Sequence, residues 1–218
     1  MLYDEAIAIN PEAVIEICPC GDSFAFHNIP AMNSTPASDP ESSWQVRLKG
    51  KTFKALMGPS APFSGDHVEL TETHDDFAST YGVGAIPSTK FTWPKDTEHP
   101  IDKLPPGGLV LTPAREALWR KWVGLYQEHR LAEGIYRGGL YDLGFDKPET
   151  HVVEKAGILH YAFYADKWSG PITLRGLDKR RYALTNGFTG APMGTATGAR
   201  ATVPATFERF LLIRAVPA

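Results

Sequence analysis

The sequence predicts an α/β half followed by an all-β half, with the change falling between Gly134 and Asp146. Three observations carry this reading. In the first half a short apolar run, Val14, Ile15 and Ile17, opens into Cys18-Pro19-Cys20-Gly21, the pattern of a buried parallel strand entering a loop, and helix-like segments follow it. The clearest helix of the chain starts at Thr112. From Tyr141 onward short β-rich runs recur with turn signals at the roughly eight- to twelve-residue spacing of sandwiches and barrels.

Taken in order, Pro30 to Pro40 is rich in Pro, Ser, Asn and Thr and reads as a loop. Glu41 to Leu56, with Trp44, Leu48 and Ala55 among polar residues, reads as the helix after it. Ala78 to Trp93 carries strand formers broken by Gly82, Gly84 and Pro87, so a short or interrupted strand is expected there. Pro100 to Gly108 separates these elements from the next helix, which has Thr112 as N-cap, Pro113 at its first position, Leu118, Trp122, Leu125 and Tyr126 on one face, and a stop at Gly134. In the second half the strands are expected at His151–Glu154, Ile158–Tyr164, Ile172–Leu174, Arg181–Leu184, Ala201–Ala205 and Phe207–Ala215. Lys155-Ala156-Gly157 and Lys167-Trp168-Ser169-Gly170 are the expected turns, and Leu159, Tyr161 and Phe163 form a core-facing row.

Composition narrows the function classes. Twenty-two basic against 25 acidic residues, for a net charge of −3, leave no basic excess for nucleic acid. No run approaches the roughly 20 apolar residues that span a bilayer, and Met1 to Asn10 lacks the basic and long apolar regions of a signal peptide, so neither a membrane nor export is expected and the expected compartment is the cytoplasm. Cys18 and Cys20 are too close for an ordinary bridge and too few for a four-ligand zinc site; no metal and no cofactor are expected.

Residues with chemical potential gather between Glu16 and His67: Asp22, Asp39, Glu41, Arg47, Asp66 and His67 lie on loops after strand-like runs. In an α/β barrel such loops build the active site. By local grammar alone Asp39-Pro40 also has the form of an N-cap with Pro at the first helical position.

Five pieces in order, Glu16-Ile-Cys-Pro-Cys-Gly21, Ala37-Ser-Asp39, Arg47-Leu48, Met57-Gly58 and Asp66-His67-Val68, resemble the run "E-N-C-S-S-G-G … W-x-S-D … R-L … M-G … H-V" of the melibiase-type α-galactosidases, glycoside hydrolase family 36. Gly139–Asp146, Ala162–Gly170 and Phe207–Leu212 resemble the tail of the same enzymes. The resemblance implies the C-terminal part of a (β/α)8 barrel, residues 1–135, followed by a small antiparallel β-sandwich domain, residues 139–218. It further implies a retaining glycosidase acting on terminal α-galactosides by double displacement, in which two carboxylates stand about 5–5.5 Å apart. Under the resemblance Asp39 is the acid/base, and Cys18 and Gly21 shape the sugar subsite. The family's nucleophile is an Asp in a Lys-x-Asp motif upstream of the cysteine loop. Met1–Ile17 contains no Lys, so the chain is expected to be a C-terminal fragment without its nucleophile and inactive alone. Pro36 replaces the family's Trp, and Gly21-Asp22-Ser23-Phe24 replaces G-G-R-F-D, which points to an altered sugar subsite.

Two other readings compete. One is a carbohydrate-binding protein holding sugars on Tyr164, Trp168 or Tyr182 of the β domain. The other is a vestigial, non-catalytic protein whose incomplete barrel is covered by homo-oligomerisation, because open sheet edges and apolar interiors are aggregation liabilities.

Overall fold

The computed structural model describes residues 2–18, 26–38, 42–65, 76–88 and 112–218. The chain divides into two compact units, residues 1–81 with 85–132, and residues 82–84 with 133–218.

The first unit holds helix α1 (Leu2–Ile9), strand β1 (Thr35–Pro36), helix α2 (Ser43–Met57), strand β2 (Phe63–Ser64), helix α3 (Asp76–Gly82, whose last residue groups with the second unit) and helix α4 (Pro113–His129). β1 pairs parallel with β2, and parallel bridges join Glu16 to Ser34 on one side and Ser64 to Ile86 on the other. Four successive segments thus run side by side in the same direction, with α2 as the crossover between β1 and β2. The ladder explains why a proline is tolerated at Pro36: its bonds come from the flanking amides, Thr35 N–H to Pro62 O (3.3 Å) and Ala37 N–H to Ser64 O (2.8 Å), so the missing donor leaves nothing unmade. The stretch read as a loop from Pro30 to Pro40 therefore contains a strand.

The expected buried strand at Val14–Ile17 is reduced to the Glu16 bridge, and Val14 is 72% exposed. The Asn33 side chain adds bonds there, accepting from Ile15 N–H and donating to Ala13 O at 2.8 Å each. The strand formers at Ala78–Tyr81 lie in α3 instead, because tertiary packing overrides their propensity. Phe77 meets Trp119 at 5.0 Å and Tyr81 meets Trp122 at 6.0 Å between ring centres. Only Ile86 of the predicted strand pairs; residues 89–93 lie outside the described residues.

α4 starts as its sequence predicts, with Thr112 Oγ1 accepting from Arg115 N–H at 3.2 Å and Pro113 in the first turn. It ends at His129, short of Gly134, because Arg130 adopts a left-handed conformation (φ 44°) and donates its N–H back to Tyr126 O. α2 buries Val46, Lys49, Gly50 and Phe53, an i, i+3, i+4, i+7 stripe. Phe53 stacks on Phe63 of β2 at 6.4 Å.

The second unit is one antiparallel sheet of six strands: β3 (Ile135–Tyr136), β4 (Glu149–Lys155), β5 (Ile158–Arg175), β6 (Arg181–Asn186), β7 (Pro192–Thr197) and β8 (Arg200–Pro217). Their order is β3-β4-β5-β8-β6-β7. Ala156 (φ 51°) and Gly157 (φ 76°) close the two-residue turn between β4 and β5, as a primed hairpin turn requires. The expected turn at Lys167–Gly170 lies within β5, which runs through residues 172–174, and the two strands expected at 201–205 and 207–215 are the single strand β8.

These two 18-residue strands pair from Leu159↔Ala215 to Arg175↔Arg200, with a bulge between Ala165 and Lys167. Fully extended, Tyr161 and Arg175 would stand roughly 45 Å apart. Instead Tyr161 Oη donates to Arg175 O at 2.7 Å. The ladder therefore folds back over itself at the bulge, opposite Arg209 (φ 64°), and the two layers enclose one core of Val152, Tyr161, Phe163, Ile172, Leu174, Leu184 and Ile213 with their neighbours. The expected two sheets of a sandwich are one continuous sheet. Arg175 closes the arrangement: its guanidinium grips both carboxylate oxygens of Asp146 (2.9 and 2.5 Å) and Leu140 O (2.8 Å), and lies 4.7 Å from the Tyr141 ring centre. Tyr141 Oη donates to Thr173 O, and burial pushes its hydroxyl up to about 12, which keeps it a donor. Both faces of β5 are buried from Leu159 to Tyr164, where one core-facing row was expected. No described helix is long and apolar enough to cross a membrane.

Buried Lys54 on α2 donates to Ala61 O (2.8 Å), and burial pulls its ammonium down from 10.5 to about 8. Between those values the unfolded chain binds more protons than the folded one, so this group makes stability rise with pH from about 8 to 10.5. Urea unfolding should show that rise, at most about 3 kcal/mol, and Lys54→Met should flatten it.

Candidate functional site

Parallel pairing brings the C-terminal ends of all four segments of the first unit to one edge of the ladder. Cys18 follows the Glu16 bridge, Ala37 and Ser38 follow β1, Gly65 follows β2 and Pro87 follows Ile86. That edge is where α/β folds place their ligands. Between the first two exits the contacts are direct. Cys18 Sγ lies 3.6 Å from Ser38 Oγ, and below it Ser34 Oγ donates to Glu16 Oε2 at 3.0 Å. Ser38 is buried and left-handed (φ 54°), which turns the chain as it leaves β1. Lys49 of α2, 2% exposed, donates from Nζ to Ala37 O (2.8 Å) and Ser38 O (3.0 Å).

Of the residues singled out in the sequence, Cys18 is described and its side chain is exposed at this edge. Asp39 and Gly21 lie outside the described residues, as do Cys20, Asp22, Glu41, Asp66 and His67. Arg47 is buried on α2, where Nη1 donates to Ser79 Oγ of α3 at 2.8 Å. The N-cap of α2 is Ser42, whose Oγ accepts from Gln45 N–H at 3.3 Å, so the capping role that local grammar offers Asp39 is filled by another residue.

The aromatic residues of the binding-module reading are not a sugar platform. Tyr164 and Tyr182 are 4% and 3% exposed, and Trp168 packs against the β core with Nε1 donating to Gly170 O. Among the described residues no three His, Cys, Asp or Glu side chains gather as a metal site.

Two buried tyrosine–histidine pairs escaped the sequence reading. In the second unit Tyr136 Oη and His151 Nδ1 are 2.6 Å apart, and His151 Nε2 is 2.8 Å from Glu149 Oε1. Burial, with the Glu149 charge adding to it, pushes the Tyr136 hydroxyl far up, so it donates to Nδ1 and leaves Nε2–H to donate to the carboxylate. In the first unit Tyr81 Oη and His129 Nδ1 are 2.6 Å apart, with Glu128 3.2 Å from Nε2. The pairs are far apart in sequence, which is why spacing could not reveal them. Lys49 left a readable trace: it falls three residues after Val46 and four before Phe53, on the apolar stripe.

No family model matches the chain. It is 31% identical, over 98% of its length, to an A type blood α-D-galactosamine galactosaminidase of Flavonifractor plautii, and spans 18% of that protein. Among solved structures, α-galactosidase I of Mortierella vinacea matches 94% of the chain with a TM-score of 0.56 at 9% identity, the chain covering 58% of it. The GH27 β-L-arabinopyranosidase of Geobacillus stearothermophilus also matches 94% with a TM-score of 0.56, at 10% identity and half its length. A further glycoside hydrolase matches the whole chain with a TM-score of 0.60 at 11% identity, over 60% of its own length. The chain shares its fold with parts of glycoside hydrolases, and its likeness extends to α-galactosidase-type enzymes in general, with nothing that singles out family 36.

Because Ser42 caps α2, Ser42→Ala should cost about 1 kcal/mol of stability.

Proposed function

We propose that this chain is part of a retaining glycosidase that removes terminal α-galactosyl or α-galactosaminyl residues, with Asp39 as the acid/base. The observation that carries the reading is the 3.6 Å approach of Cys18 to Ser38. It joins the exit of the first segment, which begins the cysteine loop, to the exit of β1, which leads into Asp39. Those are the two pieces of sequence that resemble the sugar subsite and the acid/base of the α-galactosidases. The Flavonifractor galactosaminidase supports the sugar class, and the 18% share of its length supports a catalytic unit larger than this segment.

In the first step a carboxylate attacks the anomeric carbon while the acid gives its proton to the leaving oxygen. In the second, the same residue, now a base, takes a proton from water as the water displaces the carboxylate. Cys18 and Gly21 border the subsite, and the nucleophile comes from a part of the polypeptide preceding the cysteine loop. The substitutions at Pro36 and Asp22 make the subsite differ from that of a simple α-galactosidase, which is why the galactosaminide is included as substrate.

The test is hydrolysis of aryl α-galactosides and aryl α-galactosaminides by the longer polypeptide that carries this segment. Activity on one of the two is expected, and none from the 218-residue chain alone. Asp39→Ala should slow substrates with poor leaving groups by about 10²- to 10⁴-fold and spare activated ones. Equal losses on both would remove Asp39 from the acid/base role.

A further inference from the structure

We infer that the end of the second unit where β5, β6, β7 and β8 meet is a binding surface for an acidic oligosaccharide. Phe145 is its platform for a pyranose ring, and Lys147, Lys179, Arg181 and Arg200 are its cations for carboxylates or sulfates. The class of partner rests on the glycosidase reading just proposed; the surface itself rests on exposure, charge and register.

Phe145 is 90% exposed, on a loop that holds it out. Asp146 N–H donates to Asp142 O (3.0 Å), Asp142 N–H donates to Asp146 Oδ2 (2.8 Å), and Gly144 (φ 85°) makes the reversal between them. Arg175 then fastens the Asp146 carboxylate to the end of β5. The backbone on both sides of the ring is fixed, so the ring stays outside the core while that clamp holds. A ring already held in place loses little freedom on meeting a flat apolar surface, and the C–H face of a pyranose is such a surface.

The ladders bring the cations to the same end. Arg200 opens β8 and is the register partner of Arg175, Arg181 opens β6 and pairs with Thr197 just before Arg200 in the chain, and Lys179 lies in the connection from β5 to β6. Lys147 follows the clamped Asp146. All four are exposed, and among the described residues they form no ion pair. The neighbouring carboxylates are engaged, Asp146 by Arg175 and Asp178 by Arg180, which leaves Asp142 against those four cations. The positive charge is therefore local in a chain whose net charge is −3, and arginine forks match the oxygens of a carboxylate or sulfate.

Nucleic acid and an anionic membrane are the other polyanions. Unpaired bases want several rings to stack on, and a membrane wants an apolar face. Among the described residues at this end Tyr141, Leu177 and Tyr182 are buried, and Phe145 is the exposed ring. One ring beside separated cations suits a sugar chain that alternates apolar faces with acidic groups.

The experiment titrates the full chain with a chondroitin sulfate hexasaccharide, a desulfated chondroitin hexasaccharide and neutral maltohexaose, alongside a short DNA duplex and phosphatidylserine vesicles. Binding of at least one acidic sugar at millimolar concentration is expected, about 10-fold or more tighter than maltohexaose, and it should weaken as salt approaches about 1 M, where the screening length falls to about 3 Å. The desulfated arm identifies the anion: retained binding assigns carboxylate, lost binding sulfate. Phe145→Ala should weaken binding about 10-fold at low and high salt alike, and Lys179→Ala or Arg200→Ala about 2- to 5-fold with a flatter salt dependence. Lys167→Ala, which removes a cation paired with Glu208 beside the bulge, should change nothing. No binding of either acidic sugar, equal binding of maltohexaose, tighter binding of the duplex or the vesicles, or an unaffected Phe145→Ala overturns the inference. These titrations need no hydrolysis, so activity of the longer polypeptide on aryl glycosides tells a failed surface from a failed glycosidase reading.

Discussion

The site depends on one constraint, the parallel hydrogen bonding of four short segments in the first unit. Each segment contributes few ladder bonds: Ser34 N–H and Asn33 N–H to Ile15 O, Thr35 N–H to Pro62 O, Ala37 N–H to Ser64 O, and Ile86 N–H to Phe63 O. Their shared direction forces every exit to the same edge. Residues 18, 38, 65 and 87 are separated by about 20 or more positions in the chain and become neighbours only through this rule. The helices serve it. α2 spans the return from the end of β1 to the start of β2, and its Phe53 binds it to Phe63 on the strand it leads to.

Much of this was legible in sequence where local chemistry decides the outcome. Thr112-Pro113 starts α4 because a hydroxyl acceptor and a residue without an N–H meet the needs of a helix N-terminus wherever they stand. Ala156-Gly157 makes its turn for a similar reason. Where distant partners decide, the reading failed. β1 hides in a Pro- and Ser-rich stretch because its ladder uses the amides on either side of Pro36. The strand formers of α3 are helical because Trp119 and Trp122, about 40 residues on, offer Phe77 and Tyr81 an aromatic surface. Lys167–Gly170 has the composition of a turn and is strand instead, since β8 continues to pair across it. At the candidate site Cys18 was legible and stands at the ladder edge, Arg47 was read on a loop and is buried on α2, and Lys49 was hidden by the expectation that a lysine on a helix faces water.

The two units handle buried polarity differently. In the first, the buried cations of α2 reach backbone carbonyls and a serine among their partners: Lys49 donates to the carbonyls of residues 37 and 38, Lys54 to that of residue 61, and Arg47 to Ser79. Each contact fixes a loop or a neighbouring helix. In the second, Tyr136, His151 and Glu149 satisfy one another within the sheet, across β3 and β4, with Tyr164 of β5 edge-on to the imidazole at 5.9 Å. Burial, with the Glu149 charge adding to it, holds the tyrosine of this relay in its protonated, donating form.

The self-folded sheet of the second unit bears on how it comes apart. A sandwich of two independent sheets can lose one layer and keep the hydrogen bonds of the other. Here β5 and β8 belong to both layers, and the core between them is lined from both ends of the same strands. Peeling back the outer layer would expose Ile172, Leu174 and Phe207 together with the inner faces of Tyr161 and Phe163, and would break the Tyr161 to Arg175 bond that closes the fold. Opening one layer therefore costs core contacts of both, which ties the loss of the two layers into one cooperative step.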